Sequence, residues 1–132
     1  MPKASPFAKP MAALRKAAMA YPETREDHPW GESAFKVRGK VFLFMSEAEE
    51  TLRLTVKLPE SRDFALLLPF AQPTGYGLGK SGWITASFGP KEMVPLPMLL
   101  DWLDESFCAV APKKVVASLA GSSSPAANQK RR

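Results

Sequence analysis

A chain of 132 residues, 45% hydrophobic and 23% charged, is long enough to close one core without disulfide or metal staples. No apolar run approaches the roughly 20 residues of a membrane-spanning helix, and one cysteine and one histidine exclude an internal disulfide and any metal-ligand spacing. The formal charge of +5 invites a polyanion, but all thirteen acidic residues lie between Glu23 and Glu105, a segment that is net −4, so the basic excess belongs to the two ends.

The N-terminus lacks a continuous apolar segment of the secretory kind, which makes a reducing cytoplasm the expected compartment. Residues 1–6 read as a loose lead-in. From Phe7, the spacing of Phe7, Met11, Leu14 and Ala18 predicts a helix over about Ala8 to Ala20, with Pro10 in its first turn and Tyr21-Pro22 as its stop. Its basic, acid-free character also fits an organellar presequence, although the sheet that follows needs this helix as cover.

Residues 22–33 read as a long turn carrying Asp27, His28, Trp30 and Glu32. A histidine beside carboxylates suits acid–base chemistry. The plainer reading is structural: Pro29 holds His28 extended, Gly31 allows a bend and Trp30 caps the core. No nucleophile lies nearby, and no cofactor is implied.

Two runs of β-formers joined at Gly39-Lys40 read as a hairpin. In the first, Phe35 and Val37 point to one side and Lys36 and Arg38 to the other. The second, Val41 to Met45, is apolar throughout and is expected to be covered on both faces. Thr51 to Leu58 alternates cleanly, placing Leu52, Leu54, Val56 and Leu58 opposite Thr51, Arg53, Thr55 and Lys57. A meander of these strands would have one apolar face and one face dotted with Lys36, Arg38, Arg53 and Lys57.

Pro59 to Leu68 reads as a short helix with Phe64, Leu67 and Leu68 as its inner stripe. A long loop, residues 70–82, contains Gly79-Lys80-Ser81, the ending of a phosphate-binding loop. That motif requires glycine at the position of Thr74 and a helix directly after it, whereas Trp83 to Phe88 alternates as a strand. Nucleotide hydrolysis is therefore excluded, while Lys80 and the loop amides remain able to meet a phosphate. Trp83, beside a glycine turn, reads as a space-filler or as a platform on which a base stacks.

Pro97 to Ala111 is expected to be a helix with Leu96, Leu100, Leu103, Phe107 and Val110 buried and with Asp101, Asp104 and Glu105 on an acidic outer face. Cys108 has no neighbouring cation to activate it and reads as a passive thiol. A short basic helix follows Pro112, and residues 120–132 read as a disordered basic tail, leaving 7–119 as the domain.

Five motifs in register, His28-Pro-Trp-Gly-Glu32, Phe35-Lys-Val with Gly39-Lys-Val-Phe42, Leu54-Thr-Val-Lys57, Gly79-Lys-Ser-Gly-Trp-Ile84 and Trp102-Leu-Asp-Glu-Ser-Phe107, resemble the MmcQ/YjbR family from about Ala12 to Leu119. The resemblance implies an α+β domain, an antiparallel sheet with flanking helices in α-β-β-β-α-β-α order, akin to secretion-chaperone-like and CyaY-like arrangements. It further implies DNA binding through paired β-wings, with contacts at Lys36, Lys40, Lys57, Lys80 and Trp83. Where the family usually has a tyrosine and a basic residue in the last core helix, this chain has Phe107-Cys108. The expected function is a nucleic-acid-binding protein that is not an enzyme. The alternative is a protein- or peptide-binding module that uses the sheet.

Overall fold

A computed structural model describes residues 7–28, 32–74 and 82–121, with side chains described as far as Ser118. Helix α1 (Ala8–Met19) leads into strands β1 (Thr24–Asp27), β2 (Ser33–Val37), β3 (Lys40–Ala48) and β4 (Thr51–Lys57). A single helical turn, α2 (Arg62–Ala65), precedes β5 (Ala71–Pro73) and β6 (Trp83–Phe88), and α3 (Leu96–Val110) and α4 (Lys113–Gly121) close the described chain. The strands form one antiparallel sheet in the order β1-β2-β3-β4-β6-β5.

The architecture is the expected α+β class, with two short edge strands added. β1 lies in the segment read as a turn, and β5 lies in the long loop. Neither shows a hydrophobic period: β1 is Thr-Arg-Glu-Asp and β5 is Ala-Gln-Pro. Charge and proline are what sheet edges carry, because they discourage further strand addition and Pro73 lacks an amide to donate.

Two tight turns set the registers. Val37 pairs with Lys40 around Arg38-Gly39, and Ala48 pairs with Thr51 around Glu49-Glu50. All four turn residues have positive φ (50°, 82°, 53° and 60°), as a two-residue hairpin loop with the twist of the flanking strands requires. Arg38 is thus a turn residue rather than a strand residue, one position earlier than the expected joint.

The pairing of β2 with β3 skips a residue. Phe35 faces Leu43 and Lys36 faces Val41, leaving Phe42 as the extra residue of a β-bulge. The bulge turns Phe42 and Leu43 both toward the core, where each is almost fully buried. Val41 and Phe44 face the other way and are only half-buried. The uninterrupted apolar run of β3 therefore records a bulge, which turns two neighbouring residues to the core, and not, as expected, a regular strand fully covered on both faces.

The core lies between one face of the sheet and the helices. Phe35, Val37, Leu43, Met45, Leu52, Leu54, Val56, Ile84, Ala86 and Phe88 meet Leu14 and Ala18 of α1 and Leu99, Trp102, Leu103 and Phe107 of α3. Burying rings such as Phe35 and Phe107 contributes about 1.5–3 kcal/mol each. Tyr21 stacks on Phe107 at 4.4 Å, and both meet Phe42 edge-on.

Two helical expectations are corrected. α2 spans one turn, and Phe64 and Leu67 are 56% and 80% exposed, while Ala65 is buried and Leu66 and Leu68 pack against the core. Leu66 bonds four residues back to Arg62, but Leu67 and Leu68 bond three back, to Phe64 and Ala65, so the helix tightens after one turn and ends before Pro69. On α3, Asp104 is buried and accepts a hydrogen bond from the Tyr21 hydroxyl at 3.1 Å. Glu105 accepts from the Glu60 and Ser61 amides and the Ser61 hydroxyl, capping the turn before α2. Of that trio Asp101 alone falls among the exposed residues, so the supposed acidic outer face is mostly internal structure. Leu96, Leu100 and Val110 rim the core rather than filling it, because the helix rolls Leu99 and Trp102 inward.

Candidate functional site

Strand alternation sorts the other face of the sheet. Arg25 pairs with Lys36, Asp27 with Ala34, Ala34 with Phe44, Phe44 with Thr55, Arg53 with Ser87, Thr55 with Thr85 and Lys57 with Trp83. Directly paired residues lie on the same side of a sheet. These residues therefore form one surface opposite the core. Among the described residues, none of its larger apolar members, Val41, Phe44 or Trp83, joins the core cluster, while the small Ala34 between Asp27 and Phe44 is fully buried.

Among the described strand residues, the surface carries four cations, Arg25, Lys36, Arg53 and Lys57, against one carboxylate, Asp27. Asp27 sits 2.9 Å from Lys36 Nζ. That hydrogen bond, with the attraction of the same ammonium, holds the Asp27 carboxyl below its ordinary value. Among the described residues, no carboxylate lies within ion-pair distance of Arg53 or Lys57. At the centre, Phe44 and Trp83 lean toward each other with ring centroids 6.4 Å apart. Thr85 shares hydrogen bonds of 3.0 Å with the hydroxyls of both Thr55 and Thr74.

Of the expected contact residues, Lys36, Arg53, Lys57 and Trp83 share this surface. Arg38 does not: in the turn, its Nε donates to Glu23 at 2.6 Å and its Nη2 donates at 3.2 Å. The pair lowers the Glu23 carboxyl and raises the guanidinium. Lys40 pairs with Val37, which puts it on the opposite side at the exposed end of the hairpin. The bulge separates it from the face of Lys36 and Lys57. Lys80 lies outside the described residues. A shallow cleft of about 560 Å³ is lined by Arg25 and by the two ion pairs Lys36–Asp27 and Arg38–Glu23.

The turn with His28 is partly described. His28 is exposed, with Nε2 3.4 Å from Glu26, the carboxylate that Arg15 of α1 also grips at 2.7 Å. Glu32 is half-buried just before β2, and Trp30 lies outside the described residues. Glu26 belongs to the helix-side row of β1, opposite Phe35, so this group ties α1 to the sheet edge. Among the described residues, no group of His, Cys, Asp and Glu is placed to hold a metal ion. No helix there is long and apolar enough to cross a membrane.

The family model for YjbR matches residues 19–109, more than half of the chain. This chain belongs to the YjbR family. The YjbR match begins at the last residue of α1 and ends one residue before the end of α3. It therefore spans the whole sheet, the bulge and both faces described above, and it is narrower at both ends than the stretch that the sequence motifs suggest. Among solved structures, the YjbR chain is similar to the Deinococcus radiodurans protein DR2400, a DUF419 domain, with a TM-score of 0.62. The identity is 24%, over 75% of this chain and 76% of that one, a likeness that shows the shared fold. No curated protein matches the chain.

Residues that the sequence reading did not single out on this surface are Arg25, Phe44 and the threonine row of Thr55, Thr74 and Thr85. Phe44 is hidden in the apolar run of β3, and only the bulge reveals which side it faces. Arg25 belongs to an edge strand with no hydrophobic signal. The threonines alternate visibly, but their convergence depends on the β4–β6 register.

Proposed function

We propose that this YjbR protein is a small nucleic-acid-binding protein of the cytoplasm, without catalytic activity. It contacts phosphates through the open face of its sheet and uses the β2–β3 hairpin as one wing of the paired arrangement implied by the family resemblance. The observation that carries this reading is the charge on that face: four cations at strand positions and one carboxylate, in a segment whose overall charge is negative. Cations gathered on one surface of an otherwise acidic body are an electrostatic footprint for a phosphate backbone.

The test is binding to a labelled DNA fragment at a series of salt concentrations. Five or six phosphate contacts give a slope of log K against log salt of about −5. Arg53→Glu with Lys57→Glu removes most of the affinity and flattens the slope, whereas a chain ending at Ala120 keeps both. Binding that survives the double charge reversal and disappears with the tail would assign the effect to the basic terminus and sink the proposal.

A second reading, a protein or peptide partner, draws on Phe64 and Leu67, two large apolar side chains exposed on and just after α2. It predicts capture of a partner that persists at high salt and is lost in Leu67→Lys.

A further inference from the structure

The open face combines three features that have different uses on different nucleic acids. Its cations reach any phosphate. Its aromatic pair, Phe44 and Trp83, can act only on a base whose flat surface is uncovered, and in a duplex those surfaces are stacked on their neighbours. The described helices pack on the core side of the sheet, so none stands on this face to enter a major groove. A sheet face with paired rings and neighbouring cations suits a single strand, whose bases lie down on the rings while its backbone passes the charges.

The spacing supports this. Along β4, Arg53, Thr55 and Lys57 alternate onto the same face, so the two cations stand about 13 Å apart along the strand, with Lys57 level with Trp83 and Arg53 one pair beyond Phe44. Phe44 on β3 and Trp83 on β6 lean together over the intervening strand. The hydroxyls of Thr55, Thr85 and Thr74 run outward from the same point and supply neutral donors and acceptors for sugar or base edges. Phe44 and Trp83 are half-buried and, among the described residues, stand outside the core cluster, on the side of the sheet away from the described helices.

We propose that the ligand of this face is single-stranded nucleic acid, held by stacking of a base on the Phe44–Trp83 pair, with Arg53 and Lys57 on the adjacent phosphates. The inference rests on the nucleic-acid reading above and narrows it to strands with unpaired bases.

The experiment compares binding of the full chain to a labelled oligothymidylate of about 15 nucleotides with binding to a duplex of the same length, at matched salt. The single strand binds about tenfold tighter or more. Trp83→Leu, which keeps the apolar bulk but removes the ring, brings the two affinities together without changing the salt slope, and Trp83→Phe restores the preference. Equal affinity for the two forms, or tighter duplex binding, would overturn the inference. If Arg53→Glu with Lys57→Glu then abolishes binding, the broader nucleic-acid reading stands. Absence of binding to either form would end both. Melting of each variant is followed in parallel; should Trp83→Leu fail to fold, Phe44→Leu takes its place, and the wild-type ratio of affinities is decisive by itself.

Discussion

Ser106 offers the sharpest test of how this sheet is built. The hydroxyl is fully buried on α3, donates to the Phe42 carbonyl at 2.6 Å and accepts from the Lys57 amide at 2.8 Å. Phe42 is the extra residue of the bulge, and the β3–β4 pairing stops at Phe44 opposite Thr55. The strands part beyond that pair, and a helix side chain bridges the groups that a regular ladder would have joined directly. Ser106→Ala leaves a buried carbonyl and a shielded amide unpaired, each costing about 1–3 kcal/mol, with little volume change to add. The expected loss is about 2–6 kcal/mol, a large part of the 5–15 kcal/mol that holds a typical domain together. For a domain of this size that lowers the melting temperature by on the order of 10 °C. Urea unfolding should show a lower midpoint with an unchanged slope, and the Lys57 amide should exchange faster with deuterium. A loss under about 0.5 kcal/mol with the amide still protected would mean that β3 and β4 close up without the hydroxyl, and the bridging account would fail.

Three further outcomes follow from the backbone and the exposed pairs. Glu49 and Glu50 hold positive φ in the β3–β4 turn, a conformation that side-chain-bearing residues resist, so Glu49→Asn with Glu50→Gly should raise stability by about 1 kcal/mol in thermal unfolding. Gly82 sits at φ +93° with backbone atoms of Pro59 3.4 Å from where a Cβ would stand, so Gly82→Ala should destabilise by about 1–2 kcal/mol and weaken the Leu58 to Gly82 hydrogen bond. Asp27 and Glu23 are more acidic in the folded protein than their ordinary 3.8 and 4.5, because Lys36 and Arg38 hydrogen-bond to their ionised forms. The unfolded chain therefore takes up protons first as pH falls. The support these pairs give is complete above the ordinary values and is lost on descending through the lowered ones. Carbon NMR should show both carboxyls titrating late, with Lys36→Met returning Asp27 toward 3.8; an unchanged Asp27 titration in that variant would refute the assignment.

Elements whose side chains face a single core were legible in the sequence. The alternation of Leu52, Leu54 and Val56, continued by Leu58 just after the strand, marks the buried row of β4, and the spacing of Phe7, Met11, Leu14 and Ala18 marks α1, because periodicity follows directly from which side is dry. The edge strands left no such trace, since an edge needs charge and proline more than apolar contacts. α2 misled because Phe64 and Leu67 have helical spacing, yet the helix stops after one turn, with Leu66 and Leu68 rather than these two turned to the core. The acidic residues of α3 misled in the opposite sense: Asp104 and Glu105 are spent on a tyrosine hydroxyl and on capping a turn 44 residues away.

By itself, the sequence determined that this is one small α+β domain with an amphipathic sheet and that its basic ends flank an acidic middle, because local periodicity and composition do not depend on partners distant in the chain. Only the tertiary structure decided which cations stand together. One extra residue at Phe42 moves Lys40 to the far side of the sheet, a tight turn takes Arg38 out of its strand, and the β4–β6 register brings Trp83 level with Lys57. In a pleated strand, a shift of one position exchanges the two faces, and that shift is fixed by hydrogen bonds between strands rather than by any residue alone.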